Sequence, residues 1–452
     1  MELLQKTRSS IKSVLRNEME VNDLTTGLRL LMDGLLCLLV PLFSHLLTIL
    51  LTLILGYITY WSIHRLERAR DMTEVGFGYL QGKKSSRRHC FSGLVKDVVS
   101  NRKPGETPPV FPNGWFPLIE SRDLRVGKSL PVTALGKEFA VFRGHDGQAY
   151  ILDAHCPHLG AHLGVGGRVY GNCLECPFHG WRFKGENGAI ERIPYVEKVP
   201  DFIKTKSWPV CEKNGFLYIW FHAEGEPPLW YPPDIPEVTE GLWSYRGRTQ
   251  HTVNCHIQEI PENGADAAHL GHLHYDSVFS GSDLRFTNNR FWEFCKHDWK
   301  PQWEPDPAPN NHMASISLTH VTRVFGHALP FSELNLNIKQ IGPAIVHLVF
   351  KSKFGSGVFV QGITPEGPLK QRLVHQLYAP SSFPQVIANL LLLSEACMLE
   401  RDIMIWNNKK YIKNPILVKE DKLISRHRRW YWQFYSENSP TLQQVRETSL
   451  DW

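Results

Sequence analysis

The sequence predicts an α+β fold carried behind a membrane helix, and three observations lead there. The segment 34–63 holds no Asp, Glu, Lys or Arg and is dominated by Leu, Ile and Val. Short apolar runs rich in β-branched and aromatic residues, separated by turn signals, fill 113–223. From about Val238 to the C terminus, helical and strand-like patterns mix. A chain of 452 residues exceeds one ordinary core, so two folded domains plus extensions are expected.

Taken in order, 1–33 is a polar N-terminal segment and 34–63 a membrane anchor. The anchor exceeds the roughly 20 apolar residues that a spanning helix needs. Pro41, tolerated in a first helical turn, opens a continuous span of 41–61. Too many polar residues precede this run for a cleaved signal peptide, and no small-residue cleavage site follows it. Basic residues flank both ends, from Lys6 to Arg29 and from Arg65 to Arg88, and the positive-inside rule leans toward a cytosolic C-terminal body.

The stretch 64–112 reads as a linker, polar and Pro-rich toward Pro108-Pro109. A small antiparallel β domain over 113–223 follows. Its strands include 139–142 and 149–152 about the turn His145-Asp146-Gly147, and 215–221 closes it. The segment 224–237, with Pro227-Pro228 and Pro232-Pro233, is a second linker, and 238–452 is the second domain.

Composition excludes some functions. Fifty basic against 45 acidic residues, a net charge of +5 spread along the chain, give no footprint for nucleic acid. Nine cysteines at long intervals make no secreted disulfide framework and suit a reducing compartment. Cys37, Cys90, Cys173, Cys211, Cys255, Cys295 and Cys397 read as free buried thiols.

The remaining two cysteines belong to a constellation. Cys156-Pro157-His158 and Cys176-Pro177-Phe178-His179 offer two thiolates and two imidazoles in matched pairs. A Rieske [2Fe–2S] centre holds one iron by two Cys and the other by two His, so each segment must supply one of each. Zinc also accepts Cys2His2, but zinc fingers usually pair Cys with Cys and His with His on separate elements. Leu159-Gly160 and Gly180-Trp181 suit tight loops over a cluster.

Downstream, Asp266, His269 and His274 stand at spacings of three and five within 262–274. On a helix ending near Gly271, Asp266 and His269 share a face, and His274 reaches the same ion. Two imidazoles and a carboxylate form the facial triad of non-haem Fe(II) oxygenases. A polar helix with surface histidines is the alternative, and His272 competes as a ligand. Asn263 stands either near the open coordination position or as a helix N-cap.

In this order, the two motifs resemble the Rieske non-haem iron oxygenases over about 113–411. The resemblance implies a Rieske β domain of the iron–sulfur protein type followed by a helix-grip-like α+β catalytic domain. It implies that His269 and His274 ligate a mononuclear iron. It makes Asp266 the bridge that carries electrons from the Rieske histidine of a neighbouring subunit, hence a homotrimer. Glu400-Arg401-Asp402 resembles the family's C-terminal ligand segment, making Asp402 the third ligand with Glu400 and Glu395 in reserve. No flavin or nicotinamide fingerprint is apparent, so NAD(P)H must act through a separate reductase or ferredoxin.

The anchor, the length, the arm from Cys156 to Leu163 and the Asp402 segment together resemble the cholesterol 7-desaturases of the Neverland type. That resemblance implies O2-dependent conversion of cholesterol to 7-dehydrocholesterol by a single-pass protein of the endoplasmic reticulum. Alternatives are a steroid-ring hydroxylase and a membrane-anchored Rieske electron carrier. The carrier would need a disulfide where Ala161 and Phe178 stand, and would have no use for the second motif.

Overall fold

A computed structural model describes residues 32, 35–36, 39–40, 42–80, 91–101, 105–287 and 290–448. Two units are described separately, Met1–His64 and Arg65–Trp452. In the first, Leu42–Ile63 is a helix long and apolar enough to cross a membrane, within the expected 34–63. Pro41, Cys37 and Cys90 lie outside the described residues.

Within the second unit, 114–221 folds as three small antiparallel sheets. Strands Ser129–Ala134, Lys137–Arg143 and Ala149–Asp153 form one, and Val210–Lys213, Phe216–Phe221 and Gly114–Glu120 a second. Four short strands, Arg168–Tyr170, Cys173–Glu175, Arg182–Lys184 and Ile190–Arg192, form the third. The expected strands at 139–142, 149–152 and 215–221 fall inside these elements. Phe216–Phe221 is buried along its whole length because both faces are covered, which explains its unbroken apolar run.

The remainder is built on one nine-stranded sheet. From one edge its order is Leu66–Asp71, Trp243–Asn254, Lys370–Pro380, Gly355–Gly367, Ile345–Ser352, Leu334–Ile341, Met313–Val324 and Cys295–Pro305, with His327–Ala328 on the penultimate strand. All pairings are antiparallel except the first. The long helix Gln385–Trp406 crosses one face and packs against Trp243–Asn254. Core residues of the two parts mix: Phe116, Leu118 and Phe139 share a cluster with Val253, Leu399 and Ile403. Arg372 donates to the Leu118 carbonyl at 2.7 Å, and Gln376 to Glu120 at 2.8 Å.

The linker expected at 64–112 is corrected by this topology. Leu66–Asp71 is an edge strand of the large sheet, registered from Leu66 opposite Gly247 to Asp71 opposite Thr252, and Phe91–Ser100 is a helix. An edge strand pairs on one side only, and here Arg68 and Arg70 hold it to Glu400 at 2.9 and 2.8 Å. Its stabilisation thus comes from ladder bonds and charge, so it shows no apolar alternation. The 224–237 segment is also packed: Trp230 stacks on His312, with ring centroids 4.6 Å apart.

Candidate active site

The two Cys-His arms fold alike. In each, the cysteine N–H donates to the residue five places on: Cys156 to Ala161 at 2.9 Å, Cys176 to Trp181 at 2.7 Å. In each, the cysteine carbonyl accepts from the glycine four places on, Gly160 at 2.9 Å and Gly180 at 3.1 Å. Both glycines are left-handed, with φ of 74° and 72°, which a side chain would strain. The arms emerge from different strands, yet repeat one turn.

That repetition sorts the ligands by depth. Cys156 and Cys176 are each 3% exposed, while His158 and His179 stand half-buried at the tips with ring centroids 4.8 Å apart. His158 stacks on Trp181 at 4.5 Å, and His179 Nδ1 is buried without a hydrogen-bond partner. Burial pushes the Cys156 thiol up to about 11. Two buried thiols and a buried unpaired imidazole nitrogen fit a group that takes up thiolates and nitrogen lone pairs together, as a [2Fe–2S] cluster does. Cys173 is buried at the start of the strand that leads into the second arm, where burial raises its thiol to about 11. The positions a carrier's disulfide would use hold Ala161 and an exposed Phe178.

The second constellation assembles around the short helix Ala267–His272. Its N-cap is Asp266, whose carboxylate accepts from the N–H groups of Ala268 at 3.1 Å and His269 at 3.2 Å. The N-cap reading of Asn263 is therefore overturned: that residue begins a separate 3-10 turn and lines a cavity. His269 Nδ1 bonds the Asp266 carbonyl. The helix ends at His272, one residue beyond Gly271, and His272 is exposed, outside the ligand cluster.

Past the helix the chain turns so that the ring of His274 meets that of His269 at 5.1 Å and 80°. Asp402 arrives from the long helix, its Oδ1 3.2 Å from His274 Nε2. The ligand atoms of His269, His274 and Asp402 all lie within 4.8 Å of one another. His274 Nδ1 is buried and unpaired, and burial, ahead of the charges around it, lowers the basicity of His269. Two imidazoles and a carboxylate converging in this way fit one divalent iron. Glu400 points elsewhere, to Arg68, Arg70 and Ser282. Glu395 pairs with His375.

Three residues of this region escape sequence reasoning. Arg401 is fully buried and donates to the carbonyls of Asp276, Ser277 and Gly281 at 2.8–3.0 Å, pinning the loop that follows His274. His297 and His320 bond each other at 2.7 Å under Trp299, whose indole donates to the His274 carbonyl. Burial holds them neutral, near 3 and 4.

The triad opens on a cavity of about 250 Å3. Its wall follows strand periodicity. Neighbouring strands each contribute residues at i and i+2: Trp299 and Pro301, Ile316 and Leu318, Ile338 and Gln340, Val346 and Leu348, Gln361 and Ile363, Leu373 and His375. The long helix closes it with Glu395, Met398, Leu399, Asp402 and Trp406, one helical face. The result is an apolar chamber with a metal-ligating group on its wall, the usual form of a site for an apolar substrate.

Comparison with known proteins agrees with this construction. A family described as Rieske [2Fe-2S] domain matches residues 114–204, and one described as 3-Ketosteroid 9alpha-hydroxylase C-terminal domain matches 219–435. A Xenopus laevis protein named cholesterol 7-desaturase nvd is 48% identical over 393 residues, covering 87% of this chain and 85% of its own. A Caenorhabditis elegans cholesterol 7-desaturase is 39% identical over 405 residues, covering 88% and 94%. Dicamba monooxygenase bound to 3,6 dichlorosalicylic acid superposes with a TM-score of 0.54 at 16% identity, over 75% of this chain and 98% of its own, and so shares the fold. Identity at the level of the first two relatives, sustained over most of their lengths, makes this chain a member of the cholesterol 7-desaturase family of Rieske oxygenases.

Proposed function

We propose that the chain dehydrogenates cholesterol across C7 and C8. One cholesterol, one O2, two electrons and two protons become 7-dehydrocholesterol and two waters. The observation that carries this reading is the apolar chamber with His269, His274 and Asp402 on its wall. A mononuclear iron held there supplies reductive O2 activation, which no side chain can supply alone.

The chain's own groups have separable tasks. Cys156, His158, Cys176 and His179 would hold the cluster, with the imidazoles half-buried at the tips beside the exposed Leu159 and Phe178, where a partner can approach. Cys156, which burial keeps a thiol at neutral pH, would have to lose its proton to hold iron. Asp266 fixes the first turn of the His269 helix and, through its backbone carbonyl, the orientation of the His269 ring. Its carboxylate is partly exposed, as a bridge to a neighbouring subunit's cluster requires. Asn263 lines the chamber beside the triad, near the open coordination position. The aliphatic wall excludes water and orients a ring system by shape.

Electrons come from NAD(P)H through a separate reductase or ferredoxin. The working assembly is a homotrimer anchored in the endoplasmic reticulum by Leu42–Ile63, with its catalytic body in the cytosol. The Rieske unit spans 113–223 and the catalytic domain 238–452, completed by the strand Leu66–Asp71. The test is expression with a reductase, feeding with cholesterol and sterol mass spectrometry. A product two mass units lighter supports desaturation, one sixteen units heavier supports hydroxylation instead, and unchanged cholesterol defeats the proposal.

A further inference from the structure

The polar groups of the chamber wall sort by whether their hydrogen bonds are already made. Gln340 is satisfied: its Oε1 accepts from Trp303 Nε1 at 2.9 Å, and its Nε2 donates to the Pro261 carbonyl at 2.7 Å. The triad forms one polar pole. His375, Gln361 and Glu395 form a second, among aliphatic neighbours.

These three meet from two elements. Gln361 and His375 are cross-strand partners, and Glu395 comes from the long helix. His375 Nδ1 lies 2.5 Å from Glu395 Oε1, within ion-pair distance though off the hydrogen-bond axis, and Gln361 Nε2 donates to the same oxygen at 3.5 Å. The second oxygen, Oε2, is buried without a partner. A carboxylate oxygen kept from water and unbonded is costly, so its place in a ligand chamber calls for a donor.

Position says which donor. Glu395 and Asp402 are seven residues apart, so they share one helix face about 10.5 Å apart along the axis. In a 3-hydroxysterol, C7 and the hydroxyl-bearing C3 lie on adjacent fused rings, a rigid spacer that holds the hydroxyl well away from the reacting carbon. We infer that Glu395, held by His375 and Gln361, accepts the hydrogen bond of the sterol 3-hydroxyl and anchors the end of the substrate remote from the triad. A 3-ketone offers only lone pairs to this carboxylate, so the anchor selects alcohols over ketosteroids. The inference rests on the sterol reading above and adds the contact that sets orientation.

The test is equilibrium binding of cholesterol and of its 3-deoxy analogue cholest-5-ene to the full-length holoprotein in detergent, without reductase. A hydrogen bond to a charged group predicts a preference for cholesterol of about 10- to 100-fold. Glu395→Leu should bring the ratio close to one, and Glu395→Gln, which keeps a neutral acceptor, should leave it intermediate. Iron content and cluster absorption establish that each variant is folded. A wild-type protein without preference, or Glu395→Leu with the wild-type ratio, overturns the anchor. If Glu395→Leu does not fold, an unchanged ratio in Glu395→Gln overturns it equally. A chain that shows the predicted ratios but makes no 7-dehydrocholesterol defeats the proposed reaction and leaves the anchor standing. Product formation with a ratio indifferent to Glu395 does the reverse.

Discussion

Three consecutive residues, Glu400, Arg401 and Asp402, do three unrelated things. Asp402 faces His274, and Asp402→Ala should lower iron from about three to about two per chain while cluster absorption persists. Metal analysis and absorbance on one sample decide this. Arg401 ties down the loop behind His274, so Arg401→Leu abandons several buried carbonyls at once. A loss of at least about 3 kcal/mol is expected, read as a lowered denaturation midpoint. Glu400 is 3% exposed. Burial would raise its pKa, but hydrogen bonds from His251 and Ser282 and the Arg68 and Arg70 charges outweigh that and hold it at about 2. Because the folded value lies below the unfolded one, the stabilisation is present above about pH 4.5 and fades as pH falls toward 2. Glu400→Gln should therefore cost about 2 kcal/mol at pH 7, discounted because both arginines are partly solvated, and little near pH 2. Unfolding curves across that window test the sign.

At the scale of elements, the cluster arms were the most legible part of the sequence. Within each arm the ligands sit within four residues of each other and one local turn places them, so spacing carried the geometry of each arm. His269 and His274 were legible for the same reason, since a short helix and its exit bring them together. Asp402 was not, because a separation of more than 120 residues is closed only by tertiary packing, and family resemblance had to supply it. The edge strand Leu66–Asp71 was misread because ion pairs replace its apolar pattern. The chamber wall was hidden too: alternation along one strand does not say which strands are neighbours. Its helix face now permits a prediction. Met398→Trp projects added bulk into the chamber and should raise the KM for cholesterol by at least about tenfold, with iron content unchanged.

For the whole molecule, the corrected boundary before the Rieske unit matters most. Removing 1–64 leaves the nine-stranded sheet complete, whereas removing 1–74 exposes Trp243–Asn254 as a new edge and strands Glu400 without its arginines. The first truncation should keep both iron sites and unfold in one transition with the parent. The second should lose several kcal/mol and aggregate, which calorimetry and size-exclusion chromatography separate. Mixing of core residues from the two parts further predicts that the Rieske portion alone, 113–223, expresses poorly, since Phe116 and Leu118 would lose their cover.

The chamber divides its labour in a way that bears on how such enzymes diversify. Every proposed iron ligand of the triad comes from a helix or the turn leaving one, whereas strands supply half of the residues that line the chamber. Wall positions on the strands project from a hydrogen-bonded lattice that does not depend on their side chains, so most can be exchanged without disturbing the metal; Trp299, whose indole holds the His274 carbonyl, is the exception. A lineage could thus retool the shape of its substrate while leaving its oxidative apparatus untouched. The converse holds less well: a change in Asp402 or Arg401 disturbs the long helix, which lines the chamber along a whole face and bears a ligand as well.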